Sequence, residues 1–147
     1  MVHSVRVQPF SRALQCAYLF IVVLALACTG PSGVRHHASG GNLGPYSPAV
    51  ESDGFVFVSG KIGERGESFA HEVETAIDAV ERELDGLGLT LEDVVAATVY
   101  LTDIERYAEL NEIYARRFGA PYPARACVAV QALPAGAQVE IQVTAKR

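Results

Sequence analysis

Tryptophan is absent from the 147-residue chain, and its one methionine is the initiator. A methionine-lined groove of the adaptable, many-partner kind is therefore excluded. Cysteine is scarce as well, with two of the three in the first 28 residues, so no disulfide framework can be built. Basic residues are few, 12 against 17 acidic, for a net charge of −5. No general cationic surface is available to nucleic-acid phosphates, and no nucleic-acid partner is expected. What is present is ordinary: half the residues are apolar and a fifth are charged. That composition excludes a disordered chain, and the length fits one domain.

Residues 1–27 carry Arg6 and Arg12 and no acid, and Ala13–Ala27 runs without a charge. A basic start, a short apolar run and small residues before Cys28 form the layout of a secretory leader. The run is shorter than the ~20 residues of a spanning helix. Ala25-Leu26-Ala27-Cys28 also resembles a bacterial lipoprotein box, with Cys28 as the lipidated residue, although Ala25 and Leu26 stand in reverse order. The expectation is export, to the periplasm or as a membrane-anchored lipoprotein, with a cytoplasmic chain as the alternative. Contact with a membrane would come only through this leader. Removing it moves the net charge from −5 to −7, because Arg6 and Arg12 leave with it. Residues 28–41, rich in Gly and Ser, read as a flexible linker. His36-His37 within it make too weak a pair to expect a metal.

The domain is expected over residues 42–147. Tyr46–Glu51 is a short strand that Pro45 and Pro48 confine to an edge. Asp53-Gly54 signals a hairpin, followed by the β-rich Phe55–Ser59. Phe69, Val73, Ala76, Ile77, Val80, Leu84 and Leu87 form one helical stripe. Glu92–Thr102 is apolar on both faces through its middle and reads as a central strand. Ile104, Leu110, Ile113, Tyr114 and Phe118 predict a second helix, and Ala124–Val130 and Gln138–Ala145 the last two strands. The order β-β-α-β-α-β-β gives an α+β, two-layer domain with two helices on one sheet face. Nothing left in the chain can cover the other face, so a homo-oligomer is expected.

Alternate residues of a strand share a face. Arg125 and Cys127 fall on one face of their strand, while Ala126, Val128 and Val130 on the other read as core. In the last strand Val139, Ile141, Val143 and Ala145 oppose Glu140, Gln142 and Thr144. With the two strands a hairpin apart, Arg125 and Glu140 are candidates for one pocket. An ordinary cross-strand ion pair satisfies the same pattern.

Pro123-Ala124-Arg125-Ala126-Cys127-Val128, followed by Val139-Glu140-Ile141, closely resembles the signature of the RidA (YjgF/YER057c/UK114) family. Gly44-Pro45-Tyr46-Ser47, Val58-Ser59-Gly60-Lys61-Ile62, and Val99-Tyr100-Leu101-Thr102-Asp103 followed by Asn111 match further family segments in order. The resemblance implies a chorismate-mutase-like homotrimer with clefts between subunits. It implies hydrolysis of enamines and imines of amino acids, such as 2-aminoacrylate, to 2-keto acids and ammonia, without metal or organic cofactor. It gives Arg125 the substrate carboxylate, which a planar guanidinium can grip with two bonds. Glu140 would orient the attacking water and accept its proton. Cys127, Tyr46, Ser59 and Gly60 would line the substrate site. Cys127 is expected as a small pocket-lining residue, since no histidine stands in a matching motif to activate it. The chain departs from the family pattern at Pro48, Lys61 and Gln131, in a shorter loop from Gly60 to Phe69, and at Glu74 and Asp78. A second class of function is therefore carried alongside the enzyme: a non-catalytic trimer binding small carboxylates, or a holdase, in the cell envelope.

Overall fold

Eight elements follow one another in the computed structural model, which describes residues 33–38 and 44–147. The expected leader, Cys28 and most of the expected linker lie outside the described residues. Strands β1 (Arg35–His37), β2 (Ala49–Ser52) and β3 (Phe55–Ile62) precede helix α1 (Phe69–Asp85). Strand β4 (Val94–Leu101), helix α2 (Tyr107–Phe118), and strands β5 (Ala124–Ala129) and β6 (Val139–Lys146) complete the chain. The strands form one sheet in the order β1-β2-β3-β6-β4-β5. All pairings are antiparallel except β4 with β5, which α2 joins as a parallel crossover.

Asp53 and Gly54 both take positive φ, 50° and 78°, and close the β2–β3 hairpin with Ser52 opposite Phe55. Such a turn matches the right-handed twist of its strands. Helix α1 starts at Ser68, whose side chain accepts the His71 amide. It buries Phe69, Val73, Ala76, Ile77, Val80 and Leu84 against the sheet, as their spacing predicts. Helix α2 adds Leu110, Ile113, Tyr114 and Phe118 to the same core. From the sheet come Val56, Val58, Val99, Leu101, Val139, Ile141 and Val143, all nearly inaccessible. Both helices therefore lie on one sheet face, as expected. Arg117 ties them together, donating to Glu74 (2.6 Å), Asp78 (2.7 Å) and Glu81 (2.7 Å) of α1. Glu74 and Asp78, odd for the family pattern, are thus explained by Arg117.

Glu72 is a buried acid inside this core. Its carboxylate accepts the backbone N–H of Gln138 (2.6 Å) and of Val139 (3.4 Å), and the Gln138 side-chain amide (3.0 Å). The first turn of α1 thereby fixes where β6 begins. The charge is tolerated because hydrogen bonds replace its water.

Several sequence expectations are corrected. Residues 35–37 are not tether but an edge strand, with Arg35, His36 and His37 opposite Glu51, Val50 and Ala49. The nearly buried Glu51 holds that strand, pairing with Arg35 (3.1 Å), His37 (3.6 Å) and, from the C-terminus, Arg147 (3.2 Å). The strand read at Tyr46–Glu51 starts only at Ala49, after Pro48, and β1 covers it, so it is not an edge. Ile104 belongs to a short 3-10 turn (Ile104–Arg106) ahead of α2 and is exposed. The largest correction concerns the last two strands. They are not a hairpin: β4 runs between β5 and β6. Helix α2 returns the chain to the far side of β4, a parallel placement no local turn signal can announce. Consequently Arg125 and Cys127 face the helices, while Val128, read as core, is 43% exposed on the opposite face.

Among the described residues nothing covers that opposite face. Phe57, Val95 and Val128 are large apolar residues exposed across three strands. The two-sided character expected of β4 is present in its sequence, but only the face with Val94, Ala97, Val99 and Leu101 is buried within one chain.

Candidate active site

Arg125 enters from β5 opposite Ala97 of β4, and its side chain crosses to helix α2. Nη2 donates to Asn111 Oδ1 at 2.6 Å and to the Tyr107 hydroxyl at 3.3 Å. The guanidinium lies 4.5 Å above the centre of the Tyr114 ring and 5.6 Å from that of Tyr107. Tyr114 in turn stacks on Phe118, centres 4.0 Å apart and planes within 12°. Guanidinium and two rings thus make a layered stack, held by dispersion and by attraction of the cation to the ring face. Positions 107, 111 and 114 recur at helical spacing, so one face of α2 supplies all three contacts. Burial pushes the Tyr114 hydroxyl up to about 12, against an opposing pull from Arg125, so it stays neutral.

Both bonds of Arg125 to α2 use the same nitrogen. The guanidinium sits in an open cavity of about 820 Å³, whose wall includes Ile104, Tyr107, Tyr122 and Cys127. Cys127 stands two residues along the same face, with its thiol pushed up by burial despite the opposing effect of Arg125. A thiol held protonated is a poor nucleophile, in accord with a lining role.

Glu140 is elsewhere. It pairs with Tyr100 and Ile62 on β6, and alternation with the buried Val139 and Ile141 turns it to the uncovered face. There it shares a groove with Tyr46, Ser59, Gly60 and Pro134. The Ser59 hydroxyl donates to the Ser47 carbonyl at 2.7 Å, which ties the end of β3 to the segment carrying Tyr46. A β-bulge between Val58 and Lys61 bends the strand at Ser59-Gly60. Gly60 makes room for Glu140: a Cβ there would overlap the Glu140 side chain as it stands and force it to move. Burial raises the Glu140 carboxyl above the usual carboxylate range.

The seven sequence-derived positions thus sort into three groups. Arg125 and Cys127 form one cluster; Tyr46, Ser59, Gly60 and Glu140 form a second; Cys28 lies outside the described residues. Arg125 and Glu140, expected in one pocket, lie on opposite faces of the same sheet within one chain. Sequence reading missed the tyrosines around Arg125. Tyr114 reads as part of the apolar stripe of the second helix and Asn111 as a family match without a role at the site; their shared face with Tyr107 was the available signal. Among the described residues no group of three or more His, Cys, Asp or Glu is arranged to hold a metal.

The family model described as Endoribonuclease L-PSP matches residues 38–147. The chain belongs to the RidA/YjgF family. A RutC family protein of Aquifex aeolicus is 44% identical over 111 residues, covering 70% of this chain and 89% of that one. The human 2-iminobutanoate/2-iminopropanoate deaminase is 38% identical over 112 residues, covering 71% and 82%. Among solved structures, a YjgF/YER057c/UK114 family member of Mycobacterium tuberculosis superposes with a TM-score of 0.71 at 36% identity, covering 78% of this chain and all of that one. RidA from an Antarctic Psychrobacter gives 0.69 at 36% identity, covering 76% and 94%. The α+β fold of one sheet and two helices is shared with these RidA/YjgF structures.

Proposed function

We propose that the protein is a deaminase that hydrolyses 2-imino acids, and the enamines in equilibrium with them, to 2-keto acids and ammonia. One observation carries the reading: a guanidinium locked from behind by Asn111, Tyr107 and Tyr114, beside an open cavity. Such a fixed fork suits a carboxylate, and it positions the adjacent carbon without further ordering cost. Naming of the human relative as a 2-iminobutanoate/2-iminopropanoate deaminase supports the same chemistry.

In this mechanism Arg125 holds the carboxylate of R–C(=NH2+)–COO−. Water adds to C2, and Glu140 takes the proton that water loses. The nitrogen then receives that proton and the C2–N bond breaks, while the C2 hydroxyl gives up its own proton by way of Glu140 to the departing ammonia. The products are R–CO–COO− and ammonium, and Glu140 ends as it began. A raised carboxyl pKa makes Glu140 a better proton acceptor than a free side chain.

One chain cannot bring Arg125 and Glu140 to one substrate. Two copies can, if the uncovered face of one meets the β5 edge of the next. We therefore take the working unit to be a homotrimer with each cleft shared between neighbours, the exposed Phe57, Val95 and Val128 being covered on assembly.

The test generates imino acids in place with an amino-acid oxidase and traps them with semicarbazide. The protein is expected to suppress semicarbazone formation, and Arg125→Ala to lose that by at least about a hundredfold in kcat/KM, the scale of losing a charged double hydrogen bond. Tight 2-keto acid binding without any suppression would instead establish the non-catalytic carboxylate-binding reading.

A further inference from the structure

The wall around Arg125 carries more information than the anchor itself. Ile104, Tyr107 and Tyr122 are each between 43% and 56% exposed, in a domain that otherwise buries its large apolar residues on the helix side. All three line the Arg125 cavity. They come from two stretches of chain: the turn that runs into the first residue of α2, and the segment leading into β5. Their meeting at one cavity is a tertiary arrangement.

A substrate carboxylate on Arg125 would place its C2 next to these side chains, since Tyr107 already touches the guanidinium. The side chain at C2 must then extend along this wall. The wall's polar groups are mainly hydroxyls at the ends of tyrosine rings, and that of Tyr107 is engaged by Arg125. Asn111 is engaged by Arg125. Glu105, at the same cavity, bears a negative charge that repels acidic side chains. The space also exceeds the needs of a methyl group: cavities of about 300–1,000 Å³ take whole drug-sized ligands. Offset or edge-on packing against tyrosine rings favours an aromatic group over a small one.

Resting on the deaminase reading, we propose that the preferred substrates are 2-imino acids with large apolar side chains, aromatic ones above all, and not those of 2-aminoacrylate size. Tyr122, Tyr107 and Ile104 are the specificity-determining residues.

The experiment uses the full chain and one imine source. D-amino-acid oxidase acting on D-phenylalanine and on D-alanine yields the two imines, whose C2 is no longer chiral. Semicarbazone suppression gives kcat/KM for each. The expected ratio is about tenfold in favour of the phenyl imine, the scale of one good aromatic contact. In Tyr122→Ala the ratio falls several-fold, because kcat/KM for the phenyl imine drops more than that for the methyl imine. Ile104→Ala moves the ratio in the same direction. Both residues are exposed, so melting temperatures should stay near wild type and confirm intact folds. A ratio at or below one overturns the proposal and leaves the deaminase reading standing. So does a Tyr122→Ala protein in which both rates fall together, the sign that the wall is covered by a neighbouring copy. Absence of suppression with either imine overturns both.

Discussion

At the scale of single residues, Glu140 is placed where its working form is the costly one. Burial disfavours the carboxylate and raises its pKa, whereas the proposed hydrolysis needs that carboxylate to take a proton from water. The acid limb of kcat/KM is therefore expected above the ordinary glutamate value of about 4.3. Stability has the opposite sense. Protonated Glu140 is favoured in the native state, so its contribution is full below the unfolded pKa and is lost as pH rises through the folded one. Glu140→Gln, uncharged throughout, is expected to melt higher than wild type at pH 7. The gap should close as pH falls below about 4, where wild type is neutral as well. Activity in the variant should be low at every pH. Thermal melts from pH 3 to 8 check this, and a Gln variant melting lower at neutral pH would count against it. Arg125 shows the reverse economy, because its bonds and ring contacts exist before any ligand arrives.

At the scale of elements, Arg117 is the bolt between the helices. Its three acidic partners lie along one face of α1, so removing the cation leaves like charges side by side. Arg117→Met should lower stability by about 1–2 kcal/mol, between the values for exposed and buried pairs. Chemical denaturation reads this, and Glu81→Gln in the same background should return part of the loss. Legibility in the sequence also divides by element. Both helices were readable because their apolar stripes repeat every three or four residues, as Phe69 to Leu84 show. The β2–β3 hairpin was readable from Asp53-Gly54. The β5–β6 relation was not, since pairing β5 with β4 depends on where α2 lands and no turn records it. Arg125 and Glu140 were singled out by strand alternation and given their roles by the family resemblance, and their assignment to opposite faces needed the sheet order. β1 was hidden by its composition: three residues with two histidines give no strand signal of their own, and their pairing with β2 and the Arg35–Glu51 bond, sixteen residues apart, join distant parts of the chain.

At the scale of the whole molecule, the proposed function calls for a second copy, since Arg125 and Glu140 lie on opposite faces of one sheet. Mixing Arg125→Ala with Glu140→Ala protein, with subunits allowed to exchange, should restore activity that neither has alone. Random assembly puts an intact Arg125 against an intact Glu140 in about one cleft in four. Recovery toward about a quarter of the wild-type rate supports shared clefts; no recovery after verified exchange argues that one chain supplies both groups. The same geometry makes strand register critical, because a one-residue slip of β6 would turn Glu140 into the core and Ile141 to the outside. Glu72 bears on this point. Among the described residues its buried carboxylate is satisfied by the amides of Gln138 and Val139, so a slipped β6 would strand a charge among apolar side chains. Helix α1 is therefore expected to select one alignment of β6 as the chain folds, the one that keeps Glu140 on the uncovered face.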